Sequence, residues 1–228
     1  MSKSIFVQRL DIVQTEIWAK LLKPNGFKKR GRTFNRETSD GLIQVITLQI
    51  GMAWRSDNNN FCVQIGIRVP ESFEKTFDEP ERRSFYQDYY CNIRTCLNED
   101  GALGYSRYKN KRYYHTKLFM LDIEDMQPNI DEIIEMIETH VFPFFGDMDT
   151  REKVLKNRRM YGEKYKNFEI SNTITLEEAM IYGRAGDIEK AAQMMQHCYD
   201  NAFDHKDHQS YIFELSKKLS VVLDVSAT

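Results

Sequence analysis

The alternation of side chains from Phe61 to Val69 is the feature that most constrains the fold of this chain. Five apolar residues alternate with residues of mixed polarity in the run Phe61-Cys62-Val63-Gln64-Ile65-Gly66-Ile67-Arg68-Val69, which Pro70 closes. Successive residues of a strand point to opposite faces, so this period of two predicts a β-strand with one apolar face and one wetter face. A strand of this kind pairs with antiparallel neighbours and packs its apolar face on another layer.

The residues before this strand predict a helix, a sharp turn and further strands. An apolar stripe at helical spacing comprises Phe6, Leu10, Val13, Ile17 and Leu21. Pro24 and Gly26 are typical of the end of such a helix. The basic residues 28–36 then lead into Leu42–Ile50, a strand in which Gln44 is the polar exception on an apolar face.

The rest of the chain predicts more strands and then helices. Tyr89–Leu97 and Tyr113–Phe119 are typical of strands. Asn129 with Glu132 has the spacing of a capping box at the start of a helix that spans residues 129–143. The expected fold class is α+β: an antiparallel sheet of four or five strands packed by helices, with a helical C-terminal segment.

Residues 1–146 are predicted to form the sheet domain, and residues 147–228 a helical segment that docks on it rather than folding independently. Thr175 and Glu178 have the spacing of a second capping box, which begins a helical hairpin that ends near Ala202. Residues 209–223 form a last helix. A tetratricopeptide array needs a repeat of about 34 residues, and one such unit is visible, so a plain helical hairpin is favoured.

Composition favours a cytoplasmic protein without a membrane segment. Of the 228 residues, 41% are hydrophobic, enough for a packed core, and 29% are charged. No apolar run approaches the roughly 18 residues of a membrane helix, and the first residues lack the apolar core of a signal peptide. The cysteines at positions 62, 91, 96 and 198 contain no Cys-x-x-Cys pair, so we expect reduced thiols.

Four segments of the chain resemble the family known as domain of unknown function 4304. They are Leu22–Lys29, Phe34–Arg36, Gln44–Gln49 and Phe61–Gly66. The family pattern is a Pro-x-Gly-Phe turn after a helix, a Phe-x-Arg strand, a strand that ends near Leu-Gln, and a Phe-x-Val-x-x-Gly strand. The similarity covers residues 10–95; farther on, Tyr113-Tyr114 stands where members often have a tryptophan. The resemblance implies a fold and offers no chemistry, because the family has no established activity.

Two basic segments, 28–36 and 105–114, are candidate contact surfaces. The first contributes Lys28, Lys29, Arg30, Arg32 and Arg36, and the second contributes Arg107, Lys109, Lys111 and Arg112. Lys28, Arg30, Arg32 and Arg36 are all even-numbered, which predicts that they line one face of a strand. The second segment interleaves cations with tyrosines, as single-stranded nucleic acid would require. For the first segment, the alternative is a solvated edge strand whose cations block edge-to-edge pairing with another sheet. For the second segment, it is a loop whose tyrosines pack on the sheet.

Other chemistries fit the residues less well. His197, Cys198, His205 and His208 are metal-capable types, but their spacing does not place ligands together as a His-Glu-x-x-His helix does. Cys62, Cys91 or Cys96 would need a base such as His115 or His140 beside it. We therefore predict no catalytic, cofactor-binding or metal-binding residue.

The charge distribution favours a binding protein. Residues 1–36 hold nine Lys and Arg against two acidic residues, whereas residues 121–152 hold ten acidic residues against Arg151. Opposed patches of this kind steer charged partners or face each other within the fold. The expected function is a non-enzymatic cytoplasmic protein-binding module. The alternatives are nucleic-acid binding through segments 28–36 and 105–114, which the sequence pI of about 6.2 disfavours, and an enzyme with an unrecognised site.

Overall fold

The computed structural model describes residues 4–50, 59–70, 84–98, 103, 116–164, 172–202 and 206–224. The chain forms two compact units. The first comprises residues 1–69 and 83–168, and the second comprises residues 70–82 and 169–228. The predicted docking of the helical segment on the sheet domain stays a prediction.

The first unit opens with the predicted amphipathic helix. Helix α1 (Ile5–Ile17) continues into the π-helical segment Trp18–Leu22. The Ser4 hydroxyl caps it by accepting a hydrogen bond from the Val7 backbone N–H. The predicted stripe is buried from Leu10 onward. Gly26, with a φ of 81°, turns the chain out of the helix, as expected for an αL residue after a helix end.

A six-stranded antiparallel sheet follows in the described part of the first unit. Its strands are β1 (Lys28–Arg30), β2 (Thr33–Glu37), β3 (Ile43–Ile50), β4 (Asn60–Arg68), β5 (Ile93–Cys96) and β6 (Phe119–Met120). The order is β1-β2-β3-β4-β5, and β6 pairs with the start of β4. The α+β class is thus confirmed, and the basic segment adds a hairpin of two short strands to it.

One face of the sheet, the inner face, packs on helices. In register across it lie Phe34, Ile46, Ile65 and Thr95. The Trp18 ring stacks on Phe34 with 6.0 Å between centroids. The described part of the unit also contains four helical segments. They are helix α2 (Gln127–Met136), a second π-helical segment (Ile137–Val141), helix α3 (Phe142–Gly146) and helix α4 (Arg151–Lys164).

Gln44, the polar exception of β3, is buried on this inner face and is satisfied there. Its Oε1 accepts from Arg36 Nε at 2.8 Å, and its Nε2 donates to the Phe145 carbonyl at 3.0 Å. A buried amide that uses both its donor and acceptor groups avoids the cost of desolvating them unpaired.

The prediction of a wetter face for β4 is wrong, because all nine residues of β4 are buried. On the other face of the sheet, the outer face, residues 84–92 cross over β4 in a path that includes the 3-10 turn Asp88–Tyr90. That turn also shortens the predicted strand Tyr89–Leu97 to Ile93–Cys96. Of the predicted strand Tyr113–Phe119, the structure describes residues 116–119 and places only Phe119 in β6.

The two capping-box predictions are also wrong. Helix α2 begins at Gln127, so Asn129 lies inside it and donates to the Met120 carbonyl at 2.8 Å. Glu132 instead pairs with Lys117 at 2.6 Å. Thr175 likewise lies inside helix α5, which begins at Asn172. Both helices begin before the predicted cap residue, since the spacing of two side chains does not by itself fix the backbone conformation that a cap requires.

In its described part, the second unit is a helical hairpin joined by a third helix. It contains α5 (Asn172–Ala185), α6 (Ile188–Asp200) and α7 (Lys206–Lys218) around one apolar cluster. Gly183 allows close packing, because a Cβ there would lie 3.0 Å from Leu219 Cδ1. Gly186, with a φ of 89°, supplies the turn between α5 and α6. Across the described ranges, every helix is too short or too polar for a membrane span.

Candidate binding cleft on the outer sheet face

Residues 84–92, hereafter the covering segment, are fastened to the outer face by the side chain of Asn35. The Asn35 Nδ2 donates to the Tyr86 carbonyl at 2.8 Å, and its Oδ1 accepts from the Tyr86 N–H at 2.6 Å. This buried amide therefore pairs with backbone as a neighbouring strand would. Asn35 lies in register with Val45 on β3, so the covering segment is tied to the middle of the sheet.

Two residues of β4, Gly66 and Arg68, hold the covering segment close to the strand. Gly66 lies directly beneath Cys91, and a Cβ at Gly66 would lie 2.6 Å from the Cys91 sulfur. Glycine is thus needed here for close approach rather than for a special φ. The Arg68 guanidinium lies 4.3 Å from the centre of the Tyr86 ring and donates to the Tyr90 carbonyl at 3.2 Å.

An open cleft of about 550 Å³ lies beside the covering segment. Its lining includes Arg30 and Arg32 on one side and Arg94 of β5, so we call it the arginine cleft. The Thr33 and Thr47 hydroxyls, 3.3 Å apart, also line it. The Thr33 hydroxyl donates to Gln87 Oε1 at 3.1 Å, which links the sheet to the covering segment.

A tight hairpin positions Arg30 and Arg32. Gly31 and Arg32 form a two-residue loop between β1 and β2, and Gly31 has the positive φ (59°) that a type II′ turn requires at its first position. Gln14 of α1 donates a hydrogen bond to the Gly31 carbonyl, which anchors the loop. Among the described residues, neither the Arg30 nor the Arg32 side chain makes a hydrogen bond or an ion pair.

Arg94 is held by a buried carboxylate. Its Nη2 lies 2.9 Å from Asp88 Oδ2; the Asp88 side chain is 7% exposed and the Arg94 side chain 41% exposed. Asp88 therefore fixes one edge of the Arg94 guanidinium, while part of the Arg94 side chain remains exposed to solvent. Beside this pair, Tyr89 lines the cleft and is 56% exposed, and its ring lies 4.4 Å from the Tyr90 ring, measured between centroids.

The structure brings some predicted contact residues together and separates others. Arg30 and Arg32 line the cleft, and Lys28 lies on the same outer face as Arg30. The expectation that Arg36 shares this face is wrong. In the β1–β2 hairpin Lys28 pairs with Asn35, so even-numbered residues of β1 lie on the face of the odd-numbered residues of β2. Lys29 and Arg36 consequently belong to the inner face.

Arg36 is engaged on that inner face. Its guanidinium lies 4.6 Å from the centre of the Phe27 ring, and its Nη1 donates to the Asn25 carbonyl at 3.0 Å. Together with the bond to Gln44, these contacts make it a structural residue. Burial lowers the pKa of Arg36, and Asp149 opposes the shift.

Replacement of Arg36 by methionine is expected to lower the free energy of unfolding by about 1–2 kcal/mol, because hydrogen bonds from a charged donor and a cation–π contact are lost. Methionine keeps much of the apolar stem. Urea denaturation followed by tryptophan fluorescence measures the change. The control is Arg30→Met, which should stay within about 0.5 kcal/mol of the parent because its side chain is exposed; equal losses for the two variants would contradict the assignment.

The second predicted contact set, Arg107, Lys109, Lys111 and Arg112, lies outside the described residues. Sequence reasoning missed Asp88 and Arg94 as cleft residues. Arg94 lies inside the predicted strand Tyr89–Leu97 and Asp88 lies just before it, and no spacing signal pairs them. The 3-10 turn that brings Asp88 back over the sheet is what joins them.

The cysteines of the outer face have thiol pKa values raised by burial, which disfavours the nucleophilic thiolate form. Burial raises the pKa of Cys62 to about 11 and that of Cys96 to about 12, and it raises the pKa of Cys91 as well. A nucleophilic thiol needs the opposite shift. No group of three or more metal-capable side chains converges within the described part of the chain.

Comparison with known proteins agrees with the resemblance seen in the sequence. A sequence model of the family described as Domain of unknown function (DUF4304) matches residues 18–147. That span contains the hairpin, the covering segment and Arg94. No curated protein and no solved structure matches the chain.

Proposed function

The chain belongs to the DUF4304 family, whose description assigns no activity, and from its own geometry we propose that it is a non-enzymatic protein-binding module whose arginine cleft receives an acidic segment of a partner protein. The observation that carries this proposal is the pair Arg30 and Arg32, two cations whose side chains make no bond to the described residues and which line an open cleft. Arginine presents a planar fork of donors that matches a carboxylate.

The cleft is built on rigid elements, which supports binding without a large ordering cost. Arg30 and Arg94 lie on strands, and the Arg32 loop is anchored to α1 through Gln14. A preorganised site loses less conformational freedom when a ligand binds. Exposed Lys28 on the same face extends the positive surface beyond the cleft.

A protein partner fits these features better than nucleic acid. A single-stranded nucleic acid is bound along a basic groove in which successive bases stack on aromatic side chains. Here the cations that line the cleft lie on one short hairpin and on β5, and among the described lining residues Tyr89 is the exposed ring beside them. The proposal places the protein in the cytoplasm, since its four cysteines are buried thiols, as a reducing compartment allows.

The test is fluorescence anisotropy of a labelled oligoglutamate peptide titrated with the full chain at several salt concentrations. We expect salt-sensitive binding that weakens at least about tenfold in Arg30→Glu plus Arg32→Glu, because attraction becomes repulsion. The matched control is Lys20→Glu plus Lys23→Glu, the same charge change in and just after the π-helical segment that follows α1. Equal weakening in both variants, or tighter binding of a single-stranded oligonucleotide than of the peptide, would overturn the proposal.

A further inference from the structure

We propose that the anion recognised in the arginine cleft is a phosphate monoester, carried by a phosphorylated side chain of the partner protein. This inference rests on the proposed function for the site and adds the chemistry of the ligand. Three observations carry it: the charge of the lining, the donors that it offers and the room that it leaves.

The charge of the cleft matches a dianion better than a single carboxylate. Its lining contains Arg30, Arg32 and Arg94 against one acid, Asp88, which leaves a net charge of +2. A phosphate monoester carries about −1.5 to −2 at neutral pH, whereas a glutamate side chain carries one negative charge. A phosphorylated side chain therefore neutralises the lining, and a glutamate side chain leaves it positive.

The donors of the cleft suit a tetrahedral group with three acceptor oxygens. Arg30 and Arg32 approach from the hairpin, and Arg94 lies on β5 at the other side of the cleft. Arg94 pairs with Asp88, and its guanidinium presents a planar fork of five N–H donors. Asp88 acts as a positioning residue, because its buried carboxylate fixes the direction of the Arg94 fork. Arginine clusters of this kind are the usual means by which proteins recognise phosphorylated residues.

The cleft is larger than a phosphate group alone. Its volume of about 550 Å³ lies in the range, roughly 300–1,000 Å³, of sites that hold small organic molecules. The group can thus enter together with the side chain and peptide backbone that carry it. The exposed Tyr89 ring offers these atoms an apolar surface beside the cations.

The experiment compares three labelled peptides that differ at one position, with phosphoserine, glutamate or serine between glycine and serine residues. We expect the full chain to bind the phosphoserine peptide at least about tenfold more tightly than the glutamate peptide. Arg30→Gln plus Arg32→Gln should abolish this preference. Lys20→Gln plus Lys23→Gln removes the same charge in and just after the π-helical segment, outside the cleft lining, and should change the affinity by no more than about twofold.

The pattern of outcomes distinguishes a failure of this inference from a failure of the proposed function. Equal affinity for the phosphoserine and glutamate peptides would overturn the phosphate assignment and leave acidic-segment binding intact. Binding of inorganic phosphate as tight as that of the phosphoserine peptide would overturn the protein source and assign the cleft to a free phosphate. Absence of binding to every probe would overturn both. Arg94→Lys, which keeps the charge but not the fork, should lose part of the preference for phosphate; full retention would exclude Arg94 from recognition.

Discussion

Replacement of Asn35 by leucine is expected to lower the free energy of unfolding of the first unit by about 3 kcal/mol, because each buried polar group left without a partner costs about 1–3 kcal/mol. Asn35 satisfies both the N–H and the carbonyl of Tyr86. Leucine has the same number of side-chain heavy atoms with the same branching, but neither a donor nor an acceptor. The covering segment would lose its fastening to β2, and with it the support of the cleft wall that contains Gln87, Asp88 and Tyr89.

Urea denaturation measures this loss of stability, and backbone hydrogen exchange shows where it acts. The amide of Tyr86 and its neighbours in the covering segment should exchange faster, while β3 stays protected under native conditions. The control is Asn157→Leu, which removes a single bond to the Asp147 carbonyl at an exposed position and should cost less than about 1 kcal/mol. A loss for Asn35→Leu no larger than for this control would contradict the role of Asn35 as the fastening.

Replacement of Gly66 by alanine is expected to destabilise the same unit by about 2 kcal/mol, within the range seen for overpacked sites. The new Cβ would lie 2.6 Å from the Cys91 sulfur and 2.7 Å from the Cys91 Cβ. Either β4 or the covering segment must move, and both are part of a buried interface. The gain from replacing glycine in a strand, up to about 1 kcal/mol, does not offset this clash.

Cys91→Gly provides the rescue that identifies the cause. It removes both clashing atoms, so the Gly66→Ala plus Cys91→Gly protein should lose at least about 1 kcal/mol less stability than the sum of the two single losses. Gly146→Ala, at a position with open space around the new Cβ, is the matched control and should stay near the parent. Additive losses in the double variant would show that the contact with Cys91 does not explain the need for glycine.

Both changes also bear on the proposed function. The covering segment carries Asp88, which positions Arg94, so a displaced segment should weaken peptide binding even in molecules that remain folded. Arg36→Met acts on the opposite face of the sheet and should leave peptide binding unchanged. This difference distinguishes the residues that build the cleft from the residues that only stabilise the fold.

Local patterns predicted the layers of the first unit well. The stripe from Leu10 to Leu21 identified a helix, because its apolar residues recur with the helical period. The alternation in β4 identified a strand, because its apolar residues recur with a period of two. The stop at Gly26 was also visible, since a positive φ favours glycine. These features depend on neighbouring residues and need no knowledge of the rest of the chain.

Contacts between distant residues were not visible in the sequence. Arg36 was assigned to the surface of Lys28 because both are even-numbered; the hairpin loop reverses that parity and places Arg36 on the inner face. Gln44 looked like an exception on an apolar face until its partners Arg36 and Phe145 were seen. In each case the deciding partner lies at a place in the chain that no local spacing indicates.

The sequence by itself determined the α+β class, the family and the inner face of the sheet, because burial of apolar side chains at a fixed period is a local property of helices and strands. Only the tertiary structure decided that the outer face is covered and that Arg30, Arg32 and Arg94 line one cleft. The physical reason is that a 3-10 turn, a side-chain amide that pairs with backbone and a missing Cβ at Gly66 together fold residues 84–92 over the sheet. Those three features lie on separate segments and act only once the sheet has formed.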